Sequence, residues 1–142
     1  MIMQREKTIY NKASKMIALA NAIMQDYKAE GYEAQELEVK DDGHGNRGYI
    51  VQIRNTAENA GGFLKKIIGC ENCASLVLTA KGNDLEVKVA GGKWLDKAAV
   101  MGVSMIVLWP LLVTATIGSF RQKALLDNLF MNAIEKLASD RV

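Results

Sequence analysis

The sequence has little proline, cysteine, histidine or aromatic content: one proline, two cysteines, one histidine and 6% Phe, Trp and Tyr among 142 residues. Two cysteines are too few for a disulfide-stapled fold, and they favour a reducing compartment. Positive and negative charges nearly cancel, leaving a net charge of +2. These shortages argue against a nucleic-acid partner, because such a surface combines a basic patch with stacking aromatic side chains.

Motifs for catalysis and nucleotide binding are also missing. The glycine pairs Gly61-Gly62 and Gly91-Gly92 lack the strand–glycine–helix context and the Lys-Ser or Lys-Thr of a phosphate-binding loop. His44 lies in a polar turn with no serine or cysteine nearby in the sequence, and the glutamates within residues 30–38 are typical of a solvated face. We therefore predict a non-enzymatic protein that needs no cofactor.

Cys70 and Cys73 form the one recognisable site motif. Two thiols three residues apart can be a redox pair or half of a zinc site. A predicted strand follows the pair, which counts against a redox pair because a reactive thiolate gains from a following helix N-terminus. With His44 as the only histidine, these three residues are weak candidates for a metal site, and no spacing completes it.

The first 92 residues have the pattern of a small α+β domain. A helical period over residues 8–28 predicts one long amphipathic helix, and Gly31 is a suitable stop. Four alternating segments then predict two β-hairpins. We expect the helix to pack on a four-stranded antiparallel sheet with one buried and one solvated face. The predicted strands are residues 35–40, 48–54, 75–80 and 84–90, with a short helix at 60–68 between the hairpins.

Residues 98–120, which we call the neutral window, contain no charged side chain. A spanning helix needs about 20 mostly apolar residues to cross a hydrocarbon core of about 30 Å, and the neutral window is long enough. Basic residues flank it on both sides, which supplies anchors but no clear orientation. The positions that carry the prediction of a membrane segment are Met101, Ile106, Leu108, Trp109, Pro110, Leu111, Leu112 and Ile117.

Pro110 leaves three arrangements open. A single kinked crossing is one, since membrane helices tolerate a proline where neighbours satisfy the freed carbonyl. A helical hairpin turning at Trp109-Pro110 is another, and its legs of about 15–18 Å would enter and leave the bilayer on one side. Burial of the segment in a soluble or oligomeric core is the third.

Residues 121–139 predict a second amphipathic helix. A single crossing would carry this helix to the opposite side of the bilayer from the sheet, whereas a hairpin or a soluble fold would return it to the sheet. We expect its apolar face to meet lipid or a second copy of the chain. The interface candidates are Leu125, Leu126, Leu129, Phe130 and Ile134. The chain thus divides into an α+β domain at 1–92, a hydrophobic anchor segment at 93–120 and a C-terminal amphipathic helix at 121–142.

Three hypotheses of function follow. The first is a non-enzymatic, membrane-attached interaction or scaffold protein that self-associates, with its sheet domain facing the cytoplasm. The second is a thiol- or zinc-dependent activity at Cys70 and Cys73. We favour the first because it alone explains the neutral window. Its expected partners are the lipid bilayer and further copies of the chain. The third hypothesis is an apolar-ligand or lipid-binding module with a cavity lined by Met16, Ile23, Val51, Ile53, Val87 and Val89.

Overall fold

The computed structural model describes residues 5–39, 47–54, 73–92, 94–95 and 120–139. The described ranges form two helices and five strands, which confirms the predicted α+β class. A short 3-10 turn, Ala13–Lys15, precedes the first helix. In chain order the elements are β1 (Arg5–Ile9), α1 (Met16–Ala29), β2 (Glu33–Val39), β3 (Arg47–Arg54), β4 (Cys73–Lys81), β5 (Asp84–Gly92) and α2 (Phe120–Ala138).

The strands form one antiparallel sheet in the order β1-β5-β4-β3-β2. The two predicted hairpins are present, since β2 pairs with β3 and β4 pairs with β5. The prediction of four strands is wrong, because β1 pairs with β5 at the outer edge. Ile9 is the only apolar residue of β1, so this strand has no alternation that period-two analysis can detect.

The start of α1 also differs from the prediction, because the helix begins at Met16 rather than at residue 8. Thr8 and Ile9 pair with β5 instead. Asn11 then adopts a φ of 61°, a left-handed conformation that asparagine tolerates better than most residues. Its backbone N–H donates to Asp84 Oδ1 at 3.1 Å, which ties the turn after β1 to the start of β5.

The end of α1 follows the prediction made for Gly31. Gly31 has a φ of 93°, and its N–H donates to the Lys28 carbonyl at 3.0 Å. The Tyr32 N–H donates to the Tyr27 carbonyl, also at 3.0 Å, which completes a Schellman motif. The accompanying apolar contact is an edge-to-face pair of the Tyr27 and Tyr32 rings, with centroids 5.6 Å apart. This turn directs β2 back along the sheet.

Both helices pack on the same side of the sheet, which we call the helix face. Leu129 and Ala133 of α2 are fully buried there, as are Leu19 and Ile23 of α1. The C-terminal helix is therefore part of the same folded unit as the sheet. The helix-face core consists of Met16, Leu19, Ala20, Ile23, Tyr27, Val51, Ile53, Ala74, Leu76, Leu78, Leu85, Val87, Val89, Leu125, Leu126, Leu129, Phe130, Ala133 and Leu137.

The interface candidates of α2 lie in the helix-face core or pack against it. Leu125, Leu126, Leu129 and Phe130 are buried, and Ile134 is partly buried against the same cluster. The sheet and α1 supply the apolar surface against which this face of α2 packs. The expectation that this face meets lipid or a second copy is therefore corrected.

Polar contacts also join α2 to the last turns of α1. The buried Tyr27 hydroxyl donates to Asn128 Oδ1. Asp26 accepts from Asn132 Nδ2 at 3.2 Å and pairs with Lys136 Nζ at 2.9 Å. Burial, with the nearby Glu30 carboxylate, raises the pKa of Tyr27 well above its ordinary range, so its hydroxyl stays a donor. These contacts fix the position of α2 along α1.

The other side of the sheet, which we call the second face, is not the solvated surface that was predicted. Leu37, Ile50 and Val77 lie side by side on it, and each is at most 1% exposed. The expectation of one solvated face is wrong because apolar residues occupy both alternating sets in β3 and β4, as in the run Tyr49-Ile50-Val51. Continuous apolar runs of this kind are typical of strands buried on both faces.

Candidate functional site

Most of the predicted site residues lie outside the described residues. Phe120, the last residue of the neutral window, begins α2. Within the described ranges, no helix is both long enough and apolar enough to span a membrane. The predictions that lie outside those ranges are His44, Cys70, the helix at 60–68, and the membrane positions Met101, Ile106, Leu108, Trp109, Pro110, Leu111, Leu112 and Ile117.

Cys73 is the described member of the cysteine pair. It is the first residue of β4, opposite Gly92 of β5, and it is fully buried. Among the residues that the structure describes, no group of three or more His, Cys, Asp or Glu side chains could hold a metal ion. A thiol- or zinc-dependent activity with Cys70 stays a prediction.

The positions proposed to line an apolar cavity all lie in the helix-face core. They belong to one contiguous cluster in which both helices cover the sheet. Binding of an apolar ligand between the helices and the sheet stays a prediction. The positions are Met16, Ile23, Val51, Ile53, Val87 and Val89.

Leu95, which lies between β5 and the neutral window in the sequence, is held on the second face. The Leu95 N–H donates to Gln52 Oε1 at 2.8 Å, and the Leu95 carbonyl accepts from Gln35 Nε2 at 2.8 Å. Two side-chain amides thus satisfy both backbone polar groups of Leu95, as a neighbouring strand would. Leu95 is also buried, so these bonds fix its position on the sheet three residues before the neutral window.

Gln52 is the centre of a buried polar network. Its Oε1 also accepts from Gln35 Nε2 at 2.8 Å, and its Nε2 donates to Ser75 Oγ at 3.0 Å. Gln52 and Ser75 are both 0% exposed, and an unpaired buried amide costs about 1–3 kcal/mol. We call Gln35, Gln52, Ser75 and Leu95 the glutamine clamp, since its bonds join three strands to the chain that precedes the neutral window.

Trp94, next to the clamp, is held by a charged pair. The Arg54 guanidinium carbon lies 4.0 Å from the Trp94 ring centroid. Arg54 Nε and Nη2 donate to the two carboxylate oxygens of Glu33 at 3.0 and 2.8 Å. A bidentate pair fixes the guanidinium plane, and stacking of a cation on an indole contributes about 0.5–1 kcal/mol at an exposed site. We call Glu33, Arg54 and Trp94 the Trp94 corner.

The β1 and β5 side of the second face carries charges instead of apolar side chains. Lys88 lies 3.0 Å from Glu86 and 3.7 Å from Glu6, and Lys81 lies 2.9 Å from Glu86. Burial works to raise the pKa of Glu86, but hydrogen bonds from Lys81 and Lys88, with their charges, outweigh it and hold that pKa below its ordinary value. Over β2 to β4 the second face therefore combines buried apolar side chains with the glutamine clamp, and near the β1 edge it is charged.

The clamp residues were missed because Gln35, Gln52 and Ser75 look like ordinary solvent-facing residues in alternating strands. The useful signal is their position. Gln52 is two residues from Ile50, and Ser75 is two residues from Val77. Each therefore lies on the same face of its strand as an apolar residue. Polar residues in a buried set need partners, and here those partners are one another and Leu95.

Comparison of the chain with protein-family models, with curated proteins and with solved structures found no match. Three features of the chain itself bear on its function: the neutral window, the packing of α2 and the bonds that hold Leu95.

Proposed function

We propose that this protein is a non-enzymatic, membrane-attached interaction or scaffold protein whose neutral window enters and leaves the bilayer on the same side. The observation that carries the proposal is the position of α2, which packs on the sheet beside α1. The chain before the neutral window and the chain after it thus belong to one folded unit.

The composition of the neutral window supports lipid as its environment. A single Asp, Lys or Arg at the centre of a membrane helix costs about 2.5–3.5 kcal/mol, and the window has none in 23 residues. Lys97 directly precedes the window, and Arg121 directly follows it. Basic residues at these positions suit the headgroup region.

The two attachment points of the window support same-side insertion. The glutamine clamp holds Leu95 on the sheet, and the core holds Leu125, five residues after the window ends. A single crossing would move α2 across about 30 Å of hydrocarbon and would remove it from the sheet. Returning to the same side preserves the α2 packing, so the one-sided arrangement is the one we propose.

The bilayer and further copies of the chain are the proposed partners, with the sheet domain at the cytoplasmic surface. Support for self-association comes from small residues inside the window, because such residues allow membrane helices to approach closely. The face of α2 is not part of this proposal, since it is occupied by the sheet. The small residues are Gly102, Ser104, Thr114, Thr116 and Gly118.

Flotation with phosphatidylcholine vesicles tests the proposal. The wild-type chain is expected to float with the vesicles and to need detergent for extraction. The double variant Leu111→Arg, Leu112→Arg is expected to lose at least about tenfold in bound fraction, because each arginine opposes insertion by a few kcal/mol. Zwitterionic vesicles remove the effect of added positive charge on surface binding.

The matched control is Ile17→Arg, Met131→Arg, which adds the same charge at two exposed helix positions. This variant is expected to float like the wild type. Recovery of wild-type monomer in buffer without detergent or vesicles, or equal loss of flotation in both double variants, would contradict the proposal.

A further inference from the structure

We infer that the Trp94 corner is the part of the folded domain that contacts the headgroup region of the bilayer. The inference rests on the proposed function and adds the orientation of the domain. It assigns a lipid-facing role to Glu33, Arg54 and Trp94, which lie outside the neutral window itself.

The position of Trp94 along the chain limits its distance from the bilayer. Trp94 lies four residues before Ala98, the first residue of the window. A fully extended chain spans at most about 3.6 Å per residue, so the two residues are within about 14 Å of each other. The headgroup region on each side of the hydrocarbon core is about 5–8 Å thick, which places the Trp94 corner at or beside it.

The chemistry of the corner suits that region. Tryptophan favours the membrane interface because its ring is apolar and its N–H is polar, and Trp94 is partly exposed. The Arg54 guanidinium stacks on the ring while its charge is balanced by Glu33. A neutral ion pair with an indole can approach zwitterionic headgroups without a net charge to desolvate.

Because the glutamine clamp fixes the neighbouring Leu95 on the sheet, contact of Trp94 with the headgroups orients the whole domain. Leu95 is bound through both of its backbone polar groups, and Glu33 pairs with Arg54 at the shared end of β2 and β3. The β4–β5 turn lies at the other end of the strands, where Lys81 pairs with Asp84. Tyr10 lies at that end too, because Ile9 pairs with Leu85. The two ends are about 30 Å apart, the length of a nine-residue strand.

Depth-dependent fluorescence quenching tests the inference. Trp109→Phe leaves Trp94 as the only tryptophan, since the chain has two. The probe is phosphatidylcholine vesicles in which bromine sits either near the headgroup end of the acyl chain or near the bilayer centre. Trp94 emission is expected to fall at least about twofold with the shallow bromine and less with the deep one.

The control reporter is Tyr10→Trp in the background Trp94→Phe, Trp109→Phe, because Tyr10 is 75% exposed at the opposite end of the sheet. Its emission is expected to be unchanged by either lipid. If the protein floats but Trp94 is not quenched, or Tyr10→Trp is quenched as strongly, the inference fails and the proposed attachment stands. If the protein does not float, both fail.

Discussion

Replacing Leu129 with alanine is expected to lower the free energy of unfolding of the domain by about 2–5 kcal/mol. Leu129 is fully buried between α2, α1 and the sheet. Its removal leaves a cavity and forfeits the contacts of a whole leucine side chain. Urea unfolding followed by circular dichroism of the β-sheet measures the loss in detergent-solubilised protein.

The control for Leu129→Ala is Met131→Ala on the exposed side of the same helix, where Met131 is 46% exposed. A surface change of this kind is expected to stay within about 0.5 kcal/mol. The comparison bears on topology, because an α2 on the far side of a bilayer could not stabilise the sheet. If both variants changed the free energy of unfolding by equally small amounts, α2 would not contribute to the folded domain. Same-side insertion would then lose its basis.

Replacing Gln52 with leucine is expected to lower the free energy of unfolding by about 1–3 kcal/mol. Leucine is similar in size but leaves the Leu95 N–H and the Ser75 hydroxyl without their partner. The chain at Leu95 should then leave the second face more readily. In the Trp109→Phe background, Trp94 emission is therefore expected to become more accessible to a soluble quencher.

Gln25→Leu is the matched control, because Gln25 is exposed on α1 and glutamine and leucine have similar helix propensities. It should change the free energy of unfolding by no more than about 0.5 kcal/mol. The accessibility of Trp94 to the soluble quencher should stay unchanged. A Gln52→Leu protein as stable as this control, with unchanged Trp94 access, would show that the glutamine clamp does not hold the junction.

Four of the five strands and the C-terminal helix were predictable from the sequence. Period-two alternation located β2 to β5 within a few residues, and the apolar stripe of residues 121–139 located α2. The strand β1 was not predictable, because its one apolar residue, Ile9, gives no period and its stability comes from pairing with β5. The predicted helix start at residue 8 is wrong for the same reason, because Ile9 also fits the helical period of residues 8–28, whereas α1 begins at Met16.

The candidate site was much less predictable than the fold. Glu33 and Arg54 are ordinary surface residues in sequence, and only the β2–β3 register makes them neighbours. The partners of Gln52 could not be predicted, because Gln35, Ser75 and Leu95 meet it only through the strand register and tertiary packing. The absence of charge in the neutral window was clear in the sequence, but the packing of α2 on the sheet beside α1 was not.

The domain is therefore assembled from chain segments on both sides of the neutral window. The sheet and α1 precede the window, and α2 follows it, yet all share one core. This arrangement would explain why a strongly apolar segment interrupts a charged, regular α+β sequence. In the proposed function, the window enters and leaves the bilayer on the side where this domain lies.

The most direct test of same-side insertion is thiol labelling on both sides of the window. Asn83→Cys and Ser139→Cys place single thiols at exposed positions before and after it, in a background of Cys70→Ser and Cys73→Ala. With a membrane-impermeant maleimide, both thiols are predicted to be protected in intact cells and to react after lysis. Labelling of one position in intact cells while the other stays protected would contradict the account.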